Sequence, residues 1–248
     1  PAASYATNTC MLLAALMVCA CRAPNYGSTT RSLGRTEVVF VPALHARHLE
    51  SIEYPLERIS SILAQVQPSV VVVQATPSLV AEVVESPSIL DTDHPWFDAL
   101  PESREAMRYA LAHDLPLAGI SAHDVNARAR FDLYQATYPD GPDDEIYRRT
   151  RDYLRLRSAR EGRTHPEWLS SPLYRRLSAW TDRARDRALG DDLARPDWDG
   201  HRRLFRETLR EHPGQRLAVV YDARRVWLLD EELGQTPGVR LDLRAFLY

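Results

Sequence analysis

The chain has 248 residues, of which 44% are hydrophobic and 26% charged, and this length and balance predict one sizeable globular core. Its 31 basic and 34 acidic side chains give a net charge of -3, which excludes a general attraction to nucleic acid, so we expect no nucleic-acid partner. Every basic residue is arginine, and all three cysteines lie within the first 21 residues, so the remaining domain has no lysine Schiff base, thiol nucleophile or cysteine-held metal.

The first 21 residues have the features of an export signal. Residues 11–20 form an uncharged apolar run that is too short to span a bilayer, and Cys21 follows a small residue, as in a bacterial lipoprotein cleavage box. Cys19 departs from that box, and an ordinary cleaved signal or a frayed terminus are the alternatives. We predict a leader over residues 1–21 with lipidation at Cys21, a polar tether over residues 22–34 and a domain over residues 35–248.

This organisation predicts that the protein lies in the cell envelope. The lipid anchor at Cys21 would make the membrane its partner, and the domain would face the periplasm or the exterior.

Residues 36–76 predict a strand, a helix and a second strand. Apolar β-branched runs at residues 38–41 and 70–73 flank a segment whose apolar side chains recur at three- and four-residue spacing, with Pro55 at its first turn. Parallel strands deliver their following turns to the same edge of a sheet. His45 and Gln74, which follow the two strands, are therefore expected at one site.

The later elements extend this pattern. Residues 77–84 and the segment from residue 101 predict helices separated by a loop over residues 85–98, and a third strand at residues 117–120 precedes His123 and Asp124. A fourth strand near residue 217, a helix starting at Arg225 and an alternating edge strand near residue 239 complete the chain.

Residues 126–212 are predicted to be mostly helical. Acidic residues interleave with the arginines there, so we interpret those arginines as a solvated helix face. Apolar residues at helical spacing predict three helices. The first contains Ile146, Tyr147, Tyr153, Leu154 and Leu156, the second contains Leu173, Tyr174, Leu177 and Trp180, and the third spans residues 197–212. The predicted fold class is α/β, a single mostly parallel sheet with helices on both faces and a mainly helical middle insertion.

The order of these elements resembles the TraB, ChaN and Tiki superfamily, which is related in fold to the erythromycin esterases. That family has Gly-x-x-His after its first strand, Glu after the second, Arg-Asn on a middle helix and Gly-x-Gly-His after the late strand. The chain resembles a divergent member of this family with degenerate motifs. In the first motif His45 keeps the histidine and Pro42 replaces the glycine, and Gln74 replaces the glutamate after the second strand. Arg185 and Asp186 match the Arg-Asn pair, and Arg225 stands where the late histidine is expected.

The resemblance implies that His45, Gln74 and Arg225 occupy the family's catalytic positions. Family members act as metal-dependent proteases, haem-binding proteins or hydrolases, and these activities depend on the histidine and glutamate positions. Glutamine cannot act as a general base near neutral pH, and arginine is neither a base nor an ordinary metal ligand. We therefore expect a lost or altered activity in a site that persists.

Two functions remain open. The first is non-catalytic binding of a small anionic ligand by a set comprising His45, His123, Asp124, Arg185 and Arg225. The second is a metal-dependent hydrolase or protease in which His45, His48 and His123, with Asp124, hold a divalent metal. The remaining histidines are interpreted as surface or cap residues: His94, His113, His165, His201 and His212.

Overall fold

A sheet of parallel strands lies at the centre of the structure, a computed structural model that describes residues 35–122, 133, 136–189, 196–236 and 239–241. Within these residues the sheet has five strands in the order β3-β2-β4-β1-β5, and every neighbouring pair is parallel. The strands are β1 Thr36–Ala43, β2 Val70–Val73, β3 Leu117–Gly119, β4 Arg216–Asp222 and β5 Val239–Leu241. β4 therefore lies between the first two strands of the chain.

Helices connect these strands. The α-helices are α1 Glu57–Val66, α2 Pro77–Glu85, α3 Pro95–Ala99, α4 Pro101–Ala112, α5 Glu145–Glu161, α6 Pro166–Leu169, α7 Pro172–Leu189, α8 Pro196–Glu211 and α9 Val226–Gln235. Short 3-10 helices span His45–Leu49 and Pro87–Asp91. Among the described residues, none of these helices is long and apolar enough to cross a membrane.

The prediction of a loop over residues 85–98 is wrong in part, because the second 3-10 helix and α3 lie there. Both helices have a proline in the first turn, where its fixed backbone angle suits a helix and its missing N–H is not needed. The ring of His94 caps α3 by accepting the N–H of Trp96. Prolines that indicated a loop in the sequence thus begin short helices.

The two faces of the sheet are covered by different helices. Side chains of α1, α2 and α4 pack on one face, in a cluster that includes Val39 and Val41 of β1. Side chains of α8 and α9 pack on the other face, in a cluster that includes Val38 and Phe40. The α/β fold with helices on both faces is confirmed.

The arrangement of the helices on the two faces favours a ligand site at the carboxyl ends of β1 and β4. β1 leads to α1 on one face, whereas its neighbour β4 leads to α9 on the opposite face. Neighbouring strands whose connections leave to opposite faces create a crevice outside their carboxyl ends, where open α/β sheets bind ligands. The last paired residues of the two strands are Ala43 and Asp222, so the turns that follow them lie side by side.

Two helices of the middle segment bury fewer apolar residues than their sequence indicates. On α5 the buried residues are Tyr147, Thr150 and Leu154. Large apolar side chains that are exposed on α5 and α7 include Ile146, Tyr153, Leu156, Leu173 and Trp180. The apolar pattern that predicted these helices therefore includes positions that face solvent.

Candidate functional site

His45 lies at the carboxyl edge of the sheet, two residues beyond β1. Its φ is 57°, in the left-handed region, and it begins the first 3-10 helix. That conformation costs a residue with a side chain about 1–3 kcal/mol and persists where surrounding contacts hold it. Strain of this kind concentrates at functional sites, so the backbone itself marks His45 as a candidate.

The imidazole of His45 lies between two carboxylates. Its Nδ1 is 2.8 Å from Oε1 of Glu102, a fully buried residue in the first turn of α4. Its Nε2 is 3.4 Å from Oδ2 of Asp222, the last residue of β4. Because each ring nitrogen faces an acceptor, the geometry favours the imidazolium, in which both nitrogens are donors.

The charges of this group shift the pKa values of His45 and Asp222 in opposite directions. Desolvation lowers the pKa of His45, but Asp222 and then Glu102 outweigh it and raise that pKa to about 10. Burial raises the pKa of Asp222, but His45, Arg225 and Arg224 outweigh burial and hold that pKa well below its usual range. At neutral pH His45 is therefore a cation and cannot serve as a general base.

Asp222 is the point at which the predicted site residues meet. Its backbone N–H donates to Oε1 of the buried Gln74 at 2.9 Å. Its Oδ1 accepts the backbone N–H of Arg224 at 2.9 Å, and its Oδ2 lies 3.5 Å from Nε of Arg225. The structure thus brings His45, Gln74 and Arg225 together around a carboxylate that sequence reasoning did not select.

Gln74 holds β2 to β4 through this hydrogen bond. The amide oxygen accepts the N–H of Asp222 without adding charge. A glutamate at position 74 would place a second carboxylate beside the buried Asp222, and like charges in one buried site disfavour each other. The amide is therefore the side chain that fits this environment.

Two arginines bring positive charge to the outer side of the group. The guanidinium of Arg225 lies over the ring of Trp198, with Cζ 4.4 Å from the ring centroid, and a fifth of its side chain is exposed. Arg224 is exposed, and within the described residues its side chain has no carboxylate at ion-pair distance. Asp222 and Glu102 lie buried beneath these cations.

Arg185 belongs to the same region but has carboxylate partners. Its Nη1 is 3.2 Å from Oδ1 of Asp182 and its Nη2 is 2.9 Å from Oδ1 of Asp186, both on α7. Nearby carboxylates, first that of Asp182 and then that of Asp222, raise the pKa of Arg224, so α7 contributes to the electrostatic field of the site. The predicted role of Arg185 as a ligand residue stays a prediction, and its side chain is 14% exposed.

The predicted metal ligands do not form a metal centre in the described part of the chain, where no group of three or more His, Cys, Asp or Glu residues is arranged to hold an ion. His48 is buried, its Nδ1 donates to the carbonyl of Tyr54 at 3.0 Å, and its Nε2 accepts the N–H of Leu44 at 2.9 Å. Burial also lowers the pKa of His48. His48 therefore has no free nitrogen, and His123 and Asp124 lie outside the described residues.

His45 itself is also poorly placed to bind a metal. Its two carboxylate neighbours face opposite ring nitrogens, so an ion on one nitrogen could reach only one of them.

Sequence reasoning missed three contributors and misplaced one histidine. Asp222 is the polar residue that ends a buried strand, which is a signal that the sequence carries, and Arg224 lies in the turn that follows. Glu102 comes from the start of a helix, and no strand pattern could place it beside His45. His201 is buried with Nδ1 2.6 Å from the Tyr221 hydroxyl, so its interpretation as a surface or cap residue is wrong.

Comparisons of the chain with protein-family models, curated proteins and solved structures found no match. The resemblance to the TraB, ChaN and Tiki superfamily therefore stays a prediction, and the geometry of the site carries the functional argument.

Proposed function

We propose that the domain binds a small anionic ligand at the carboxyl edge between β1 and β4, without catalysing a reaction. The observation that carries this proposal is the separation of charge by depth. The carboxylates Glu102 and Asp222 are buried, whereas the cations His45, Arg224 and Arg225 are more exposed. Asp186 on α7 is the exception among the carboxylates of this region, with 26% of its side chain exposed. The exposed part of this group therefore carries more positive than negative charge.

The orientation of Arg225 suits a planar or tetrahedral oxyanion. One face of its guanidinium is covered by Trp198, and Nε is directed at Asp222. A guanidinium held in this way has little conformational freedom left to lose, and its fork of donors matches carboxylate and phosphate. Carboxylates and phosphates are therefore the proposed ligand class.

The protonated state of His45 supports binding over catalysis. A general base must lose its proton near the working pH, whereas the two carboxylates keep this imidazole charged. The same charge attracts an anion. Gln74 and Arg225, which stand at the other two catalytic positions that the resemblance implies, support no proton transfer either.

The test is isothermal titration calorimetry of the protein with inorganic phosphate and, separately, with succinate. We expect Arg225→Ala and Arg224→Ala to weaken binding by about tenfold or more, because hydrogen bonds to a charged group contribute about 1.5–3 kcal/mol. Arg210→Ala is the matched control, since Arg210 is exposed near the end of α8, at the opposite edge of the sheet. Thermal melts of each variant check that the fold is kept.

Failure of the wild-type protein to bind either anion, or equal binding by all three variants, would contradict the proposal. Metal analysis of the purified protein distinguishes the hydrolase alternative. About one divalent metal per chain, lost in His45→Ala, would favour a metal-dependent hydrolase over ligand binding.

We also propose that the protein is a divergent relative of the TraB, ChaN and Tiki superfamily that is exported and anchored by lipid at Cys21. The order of the strands and helices supports the family, and the apolar run before Cys21 supports the anchor. Dual acylation would hold the domain at a membrane without a spanning helix.

A further inference from the structure

One face of α5 presents large apolar side chains and arginines to solvent. Its residues are Ile146, Arg149, Tyr153, Leu156 and Arg160, which follow one another at alternating three- and four-residue spacing. This spacing keeps all five on one side of an α-helix over about 20 Å. We name this set the α5 stripe.

The neighbouring helix α7 repeats the arrangement. Its exposed residues at the same spacing are Leu173, Arg176, Trp180, Arg183 and Arg187, which we name the α7 stripe. The two helices pack against each other. The apolar members of both stripes are between 37% and 68% exposed, so a large part of each side chain stays uncovered by that packing.

The charge of the stripes has one sign. No stripe position carries a carboxylate, and five positions carry arginine. Arg149 pairs with Glu145 and Arg183 pairs with Glu231, whereas Arg160 and Arg176 have no ion-pair partner among the residues that the structure describes. Single exposed apolar residues are common on protein surfaces and need no explanation. Apolar and basic residues that repeat along two adjacent helices are instead typical of a binding surface.

We propose that the α5 and α7 stripes together dock on an anionic phospholipid bilayer. Aromatic and aliphatic side chains of an amphipathic helix enter the interface between headgroups and acyl chains, and arginines beside them contact the anionic headgroups. Tyr153 and Trp180 are the residue types that favour that interface. The charge complementarity between anionic lipid and the arginines without a carboxylate partner in the described residues, Arg160 and Arg176, selects this partner. The ligand site at His45 plays no part in this docking.

The experiment is co-sedimentation of the full chain carrying Cys21→Ala, so that no acyl chain contributes, with large unilamellar vesicles. One set of vesicles contains equal parts of phosphatidylglycerol and phosphatidylcholine, and the other contains phosphatidylcholine alone. We expect clear binding to the first set, reduced by added salt, and much weaker binding to the second. Any contribution of the apolar leader is the same in every variant.

Variants on each helix test the surface. Leu156→Glu and Trp180→Glu should each lower the partition coefficient about tenfold or more, and Arg160→Glu and Arg176→Glu each at least about fivefold. Val84→Glu on α2 and Arg210→Glu on α8 are matched controls, because Val84 and Arg210 are also exposed. The controls should bind as the parent chain does, and circular dichroism checks the fold of each variant.

Three results would overturn the proposal. Binding that does not respond to phosphatidylglycerol would remove the electrostatic argument. Stripe variants that bind as the controls do would show that other residues contact the membrane, and a loss confined to one helix would refute a joint surface. Retention of an RNA or an acidic protein by the stripes, without vesicle binding, would assign the surface to a different partner.

Discussion

Replacing Asp222 by asparagine removes one carboxylate from His45 while keeping the shape of the side chain. Asparagine retains an oxygen that can accept the N–H of Arg224, so the turn after β4 should be preserved. The expected consequence is electrostatic. His45 keeps Glu102 but loses Asp222, the carboxylate that raises its pKa more. The pKa of His45 should therefore fall toward its ordinary value.

The size of the effect follows from the pKa of His45. At 1.36 kcal/mol for each pKa unit, a rise from 6.5 to about 10 corresponds to about 5 kcal/mol of favourable interaction. About a third of the His45 side chain is exposed, so solvent screens part of this energy, and Glu102 supplies another part. We therefore expect Asp222→Asn to lower the free energy of unfolding by about 2 kcal/mol at neutral pH.

The pH dependence has a definite sign. A histidine whose pKa is raised on folding contributes its full stability below pH 6.5, and that contribution is lost as pH rises through about 10. The pKa of Asp222 is lowered on folding, so its contribution is present above about 3.8 and is lost as pH falls below it. The difference in the free energy of unfolding between wild type and Asp222→Asn should thus be largest between about pH 4 and 6.5. It should become smaller as the pH falls below this range or rises toward 10.

Urea unfolding followed by circular dichroism across this pH range measures the stability, and NMR titration of the His45 ring measures its pKa. Asp91→Asn is the control, since Asp91 is exposed and pairs with the exposed Arg108. This substitution should change stability by less than about 1 kcal/mol. A His45 ring that titrates near 6.5 in the wild type, or one that does not respond to Asp222→Asn, would refute the reasoning.

Two further perturbations test the framework around the site. Gln74→Leu leaves the buried N–H of Asp222 without its acceptor and should lower the free energy of unfolding in urea by about 1–3 kcal/mol. The control Gln65→Leu, on the exposed side of α1, should lower it far less. Equal losses in the two variants would contradict the role of Gln74. Cys21→Ala should release the protein from the membrane fraction when cells are fractionated, and an unchanged distribution with an uncleaved leader would rule out the lipid anchor.

The sequence by itself determined the strands, most of the helices and the edge at which the site forms. Buried β-branched runs are short and separated by helix-length segments, which is sufficient to predict a parallel sheet. Parallel strands then require that the turns bearing His45, Gln74 and Arg225 reach the same edge. These conclusions depend only on local pattern and on a topological rule.

The tertiary structure decided what those turns contact. The sequence does not give the strand order, and the insertion of β4 between β1 and β2 is what places Asp222 between His45 and Gln74. Glu102 reaches the same histidine from the first turn of a helix, across 57 positions of sequence. Protonation of His45 depends on these two contacts, because the pKa of a histidine is set by its burial and by the charges around it. A sequence pattern does not predict which charges these are.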